Sequence, residues 1–61
     1  MTSENVIAYF VMVDGFWEFW TDDPQEAEQH RAKKSQQYPD RVWTIEEHPM
    51  TRDEFNGLAM A

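Results

Sequence analysis

Two histidines, twelve carboxylates and no cysteine are what this 61-residue chain has for chemistry. The only dense group of possible metal ligands is Glu46-Glu47-His48. On a strand, Glu46 and His48 share a face while Glu47 points away, so at most two ligands converge, too few for a tetrahedral metal site. His30 lies one helical turn from Glu26 and from Lys34, a spacing that predicts a surface pair. Nucleophilic catalysis needs a hydroxyl or thiol beside a base. Ser3 falls near the terminus and Ser35 in a charged helical stretch, and the only glycines, Gly15 and Gly57, form no phosphate-cradling loop. A chain this short also encloses little volume for a catalytic pocket. These residues predict no enzyme, no cofactor and no metal site.

What the chain has in quantity is aromatic rings and negative charge. Three Trp, four Phe and two Tyr accompany twelve acids and five bases, for a net charge of -7. That balance opposes direct binding to phosphate backbones or anionic lipid. An aromatic sheet can stack bases, but Glu18 and Glu46 would share such a platform here and repel the backbone. The residues before the apolar run Val6 to Val13 carry no positive charge, and Asp14-Gly15 closes that run early. Neither a signal peptide nor a spanning helix is predicted, so the expected location is the cytoplasm.

These side chains need elements to position them. A chain of this size forms one small domain, burying only about 60% of its unfolded surface. Val6 to Val13 and Phe16 to Trp20 are β-branched and aromatic runs flanking Asp14-Gly15. They predict a hairpin over 6–20, because a type I′ turn needs positive φ at both central residues. Asp23-Pro24-Gln25-Glu26 supplies an N-cap, a proline at the first helical position and an early acid, predicting a helix over 24–38 that ends before Pro39. Arg41 to Glu47 alternates as a third strand that His48-Pro49 is expected to stop. Thr51-Arg52-Asp53-Glu54 repeats a capping pattern, so 51–60 reads as a tail or a short helix. The fold class is α+β, ββαβ, with a three-stranded, mainly antiparallel sheet and one helix on one face.

A regular hairpin pairs Val13 with Phe16, Met12 with Trp17, Phe10 with Phe19 and Tyr9 with Trp20. One face then carries Val6, Ala8, Phe10, Met12, Trp17 and Phe19, extended by Trp43 and Ile45, and is expected to lie under the helix. The other carries Ile7, Tyr9, Val11, Val13, Phe16, Glu18 and Trp20, with Val42, Thr44 and Glu46 beside them, and is too apolar to face water alone. Either the tail residues Met50, Phe55, Leu58 and Met60 cover it, or it meets another protein or a second copy of the chain. Aromatic anchors beside orienting charges suit a partner surface. The predicted partner-binding residues are Tyr9, Phe16, Glu18 and Trp20, followed by the acidic group Asp22, Asp23 and Glu26.

The hairpin around Asp14-Gly15, the helix opening at Asp23-Pro24-Gln25-Glu26, the lone strand Arg41 to Glu47 and the acidity together resemble a group of phage proteins. These are the small, acidic proteins that bacteriophages encode to inhibit host machinery, including anti-CRISPR proteins and inhibitors of host RNA polymerase. The resemblance spans the chain as architecture and charge, without a defining motif, and carries over no functional residue. It implies function by occlusion: a small acidic protein-binding module covers a basic nucleic-acid-handling surface of a larger complex. The expected partner is such a protein or complex, with no direct nucleic acid and no membrane. A structural or regulatory homodimer using the aromatic sheet face is the alternative.

Overall fold

The computed structural model describes residues 4–58. Its elements are β1 (Asn5–Val13), β2 (Phe16–Thr21), α1 (Pro24–Gln37), β3 (Trp43–Thr51) and α2 (Arg52–Leu58). The three strands form one antiparallel sheet in the order β2-β1-β3, an α+β fold with β1 at its centre. Met60, expected in the tail, lies outside the described residues.

The hairpin turn is set by backbone conformation. Asp14 has φ 52° and Gly15 φ 88°, the positive pair that twists a two-residue loop in the same sense as its strands. Asp14 also ties the turn to the third strand. Its carboxylate accepts from the Val42 amide at 3.1 Å and pairs with Arg41 at 2.9 Å, while its own amide donates to the Val42 carbonyl. Arg41 and Val42 thus form a clamp on the turn, and regular pairing begins at Trp43.

The hairpin register departs from the regular ladder. Val13 faces Phe16 and Met12 faces Trp17, but then Val11 faces Phe19 and Phe10 faces Trp20, leaving Glu18 as the extra residue of a β-bulge. The expected pairs Phe10 with Phe19 and Tyr9 with Trp20 are therefore each off by one. The bulge also changes the composition of both faces. Trp20 joins Phe10, Met12 and Trp17, whereas Phe19 joins Tyr9, Val11 and Val13.

β3 extends that division. Ile45 faces Val11 and Trp43 faces Val13, so both belong to the Val11 side, while Thr44, Glu46, His48 and Met50 fall beside Met12, Phe10, Ala8 and Val6. The strand does not stop at Pro49 as expected; it runs on to Thr51. Antiparallel ladders alternate bonded and non-bonded pairs, and the bond from Asp14 N–H to Val42 together with that from Arg52 N–H to Glu4 places the bonded pairs at even-numbered β3 residues. Pro49 points its nitrogen away from β1, on the free edge, where a missing N–H removes no ladder bond.

α1 opens as its sequence dictates. The Asp23 side chain accepts from the Gln25 amide at 2.9 Å and from that of Glu26, with Pro24 in the first turn. The helix ends at Tyr38, whose backbone has left the helical region just before Pro39. It packs on the Val11 side of the sheet, not on the Phe10 side: His30 stacks on Phe19 with ring centroids 4.3 Å apart, and the Trp43 indole N–H donates to the Tyr38 carbonyl at 3.1 Å. Phe19, Trp43 and Ile45 therefore lie under the helix as expected, but Val6, Ala8, Phe10, Met12 and Trp17 fall on the other side, and the Val11 row replaces them. The buried apolar residues are small: Ala8, Val11 and Ala27, with Thr21 the one buried polar residue among those described.

Candidate functional site

With α1 occupied on one side, the opposite side of the sheet is open. Phe10, Met12, Trp17, Trp20, Met50 and Leu58 line a groove of about 620 Å³ there, with Glu46 and His48 at its polar border. That volume lies in the range of about 300–1,000 Å³ typical of ligand sites. α2 closes one end by placing Leu58 against the sheet. It is anchored by the Arg52 amide donating to the Glu4 carbonyl and by the Arg52 guanidinium on Asp22 at 3.0 Å. Thr51 and Glu54 exchange capping bonds at its start, as the Thr51-Arg52-Asp53-Glu54 pattern predicts. The tail residues Met50 and Leu58 therefore cover part of the Phe10 face, not the Val11 face for which the sequence suggests them, and leave Trp17 58% exposed.

The rings are arranged edge to face. Trp17 and Trp20 stand at 78° with centroids 5.1 Å apart, Phe10 and Trp17 at 71° and 6.2 Å, and Phe10 and His48 at 85° and 5.2 Å. Such pairs favour this geometry because the positive ring edge meets the negative ring face. His48 in turn donates to a Glu46 carboxylate oxygen at 3.0 Å. Glu47 lies opposite Tyr9 on the α1 side, apart from its two neighbours. Among the described residues, no three His, Asp or Glu side chains come together as a metal-binding group.

The predicted partner-binding residues are divided between several places. Trp20 lines the groove. Tyr9 belongs to the α1 side of β1 and is half-buried, and Phe16, opposite Val13 at the hairpin end, is 77% exposed. Glu18 is drawn toward the helix, where it meets His30 at 3.1 Å and Lys34 at 3.8 Å. His30 thus takes a partner from the bulge, rather than Glu26 or Lys34 of its own helix. Asp22 holds Arg52 and Asp23 caps α1, leaving Glu26 exposed in the first turn. The acidic group is largely engaged within the fold.

Phe10, Met12 and Trp17 were legible as an apolar row on one strand face, but not as the open one. The helix that would choose between the faces has few apolar residues to mark its own side. Charge separates the two sides as well. Arg31, Lys33 and Lys34 lie on α1 and Arg41 on the loop that follows, whereas the groove lining has no Lys or Arg. No family model, curated protein or solved structure matches the chain, and no described helix is long and apolar enough to cross a membrane.

Proposed function

We propose that the chain is a protein-binding module that docks through the open aromatic face, with Trp17 and Trp20 as its anchors. The observation that carries this reading is the imbalance between core and surface. The buried apolar residues described, Ala8, Val11 and Ala27, are small, while on the side of the sheet that α1 leaves uncovered Trp17 is exposed and Phe10, Met12, Trp20, Met50 and Leu58 are only half-buried. Buried aromatic anchors dominate the energy of protein interfaces, and Trp contributes most often. The net charge of -7 favours a basic partner and steers the encounter. In the finer form of the proposal, that partner is a larger cytoplasmic complex whose basic surface normally holds nucleic acid, such as a CRISPR effector or an RNA polymerase, and docking occludes it. This is the mode of the small phage inhibitors that the chain resembles.

Association of two copies through the same face is the second reading, and the small core favours it, since some dimers have no stable folded monomer. Charge opposes it, because each copy carries -7. The test compares wild type, Trp20→Asp and a Phe16→Asp control by light scattering, and by capture from lysate with low-salt and high-salt washes. The proposal expects a monomer at all concentrations and a nucleic-acid-handling complex retained by wild type and Phe16→Asp, lost in Trp20→Asp and shed at high salt. A mass that doubles with concentration in wild type but not in Trp20→Asp would assign the face to self-association instead.

A further inference from the structure

Resting on the protein-binding reading, we propose that the groove is an aromatic cation site that receives a lysine-type ammonium side chain from a basic partner. Cations bind over the negative faces of aromatic rings, Trp best of all, and near-perpendicular rings present more than one face to a single corner. Trp17 stands at 78° to Trp20 and at 71° to Phe10, which gives that arrangement on an open surface. A carboxylate stands at the border. Glu46 uses one oxygen for His48 and, among the described residues, has no lysine or arginine partner.

The chain's own cations are placed elsewhere. Lys34 lies over the Tyr38 ring at 5.8 Å and reaches toward Glu18, Arg31 holds Glu28, and Arg41 holds Asp14. Arg52, the base nearest this side, is held by Asp22 and Glu4 and lies over the Phe55 ring at 5.5 Å. With His48 on Phe10 and on one Glu46 oxygen, Trp17, Trp20 and the other Glu46 oxygen are left for a cation from outside, in a protein of net charge -7. The apolar remainder of the groove, Met12, Met50 and Leu58, suits the methylene stem of a lysine and an apolar neighbour on the partner.

The experiment titrates the full chain with two blocked tripeptides, glycine-lysine-glycine and glycine-norleucine-glycine, and separately with choline chloride, following the three tryptophan indole N–H resonances by NMR. Norleucine keeps the apolar stem without the charge. Trp43, on the opposite side and bonded to Tyr38, is a built-in control. The proposal expects Trp17 and Trp20 to shift with the lysine peptide while Trp43 stays fixed, with the norleucine peptide weaker by roughly fivefold to thirtyfold, the range of a partly to fully desolvated cation–π contact. Glu46→Gln, an exposed substitution that leaves the rings in place, should weaken the lysine peptide more than the norleucine one. Equal binding of the two peptides, or no shift at Trp17 and Trp20, overturns the cation site. Tighter binding of choline than of the lysine peptide overturns the assignment to a protein side chain. If these titrations fail while Trp20→Asp still abolishes partner capture, the docking face stands and only its cation specificity falls; if capture is also indifferent to Trp20, both readings fall.

Discussion

Trp17 and Trp20 are three residues apart on one strand, yet their indoles share a face and meet with centroids 5.1 Å apart. In a regular strand residues three apart point to opposite faces, so the contact depends on the bulge at Glu18. The same bulge lets Glu18 reach His30 and Lys34. Deletion of Glu18 should therefore convert the bulge into a regular ladder, with Met12 still opposite Trp17 and Val11 still opposite Phe19. The tryptophans should remain on one face, and their exciton couplet in the far-UV circular dichroism should persist. Replacement of Glu18 by Ala keeps the extra residue and removes only the ion pairs, which are partly exposed, for a loss of about 0.5–1 kcal/mol by denaturant titration. Loss of the couplet on deletion, with the chain still folded, would contradict this register.

The bulge is also where the sequence misleads. Phe16-Trp17-Glu18-Phe19-Trp20 alternates well enough to be read as a regular strand, and that reading puts the two tryptophans on opposite faces. The bulge turns Glu18 toward partners, His30 and Lys34, more than ten residues away on a helix whose position the pattern does not give. By contrast, the Asp14-Gly15 turn and the Asp23-Pro24 helix start were readable because each is fixed by local chemistry: positive φ in one case, a side-chain cap in the other. Pro49 falls between these cases. Its effect as a strand breaker depends on which way its nitrogen points, and that parity is set by β1. Of the groove residues, only Trp20 was predicted as a contact, because the location of the open face follows from the register.

Asp23 combines two bonds to the first turn of α1 with a favourable charge at the helix N-terminus. Asp23→Ala should destabilise the domain by about 1 kcal/mol. For a domain of this size that corresponds to a fall in Tm of about 4–8 °C. Asp23→Asn or Asp23→Ser should recover most of the loss, since either side chain can accept the same amide bonds. If Asp23 acted mainly as a partner contact, Asp23→Ala would leave the melting curve in place and weaken capture instead.

The Arg31 guanidinium hydrogen-bonds the Glu28 carboxylate and, to a smaller extent, attracts its charge, which holds the Glu28 carboxyl below its ordinary range. Because the folded-state value is depressed, the pair adds stability above the unfolded-state value and loses it as pH falls through the folded one. Glu28 is exposed, Arg31 is half-buried along its stem and salt screens the pair, so the effect on global unfolding should be small. A carboxyl titration followed by NMR should find Glu28 protonating at lower pH than an ordinary glutamate, and Arg31→Gln should return it to the usual range. High salt should move it part of the way. A Glu28 titration that does not respond to Arg31→Gln would mean that the pair does not persist in solution.

Pro49 guards a free edge. Among the described residues no strand follows beyond β3, and the residues of this strand whose backbone groups point away from β1 are Trp43, Ile45, Glu47, Pro49 and Thr51. The Thr51 amide is already taken by the Glu54 carboxylate at 2.9 Å, and Pro49 has no amide to offer, so the end of the edge near α2 presents no free donor at these two positions. Pro49→Val restores a donor and adds a β-branched residue without disturbing the bonds to β1, since those are made by the even-numbered neighbours. The monomer should unfold at nearly the same denaturant concentration as wild type. Its association should rise, seen as an increase in mass with concentration by light scattering. Trp20→Asp should not suppress that association, because it proceeds by strand pairing at the edge of β3 and not through the groove. An increase that Trp20→Asp abolished would place the contact on the aromatic face and remove the argument that Pro49 protects the edge.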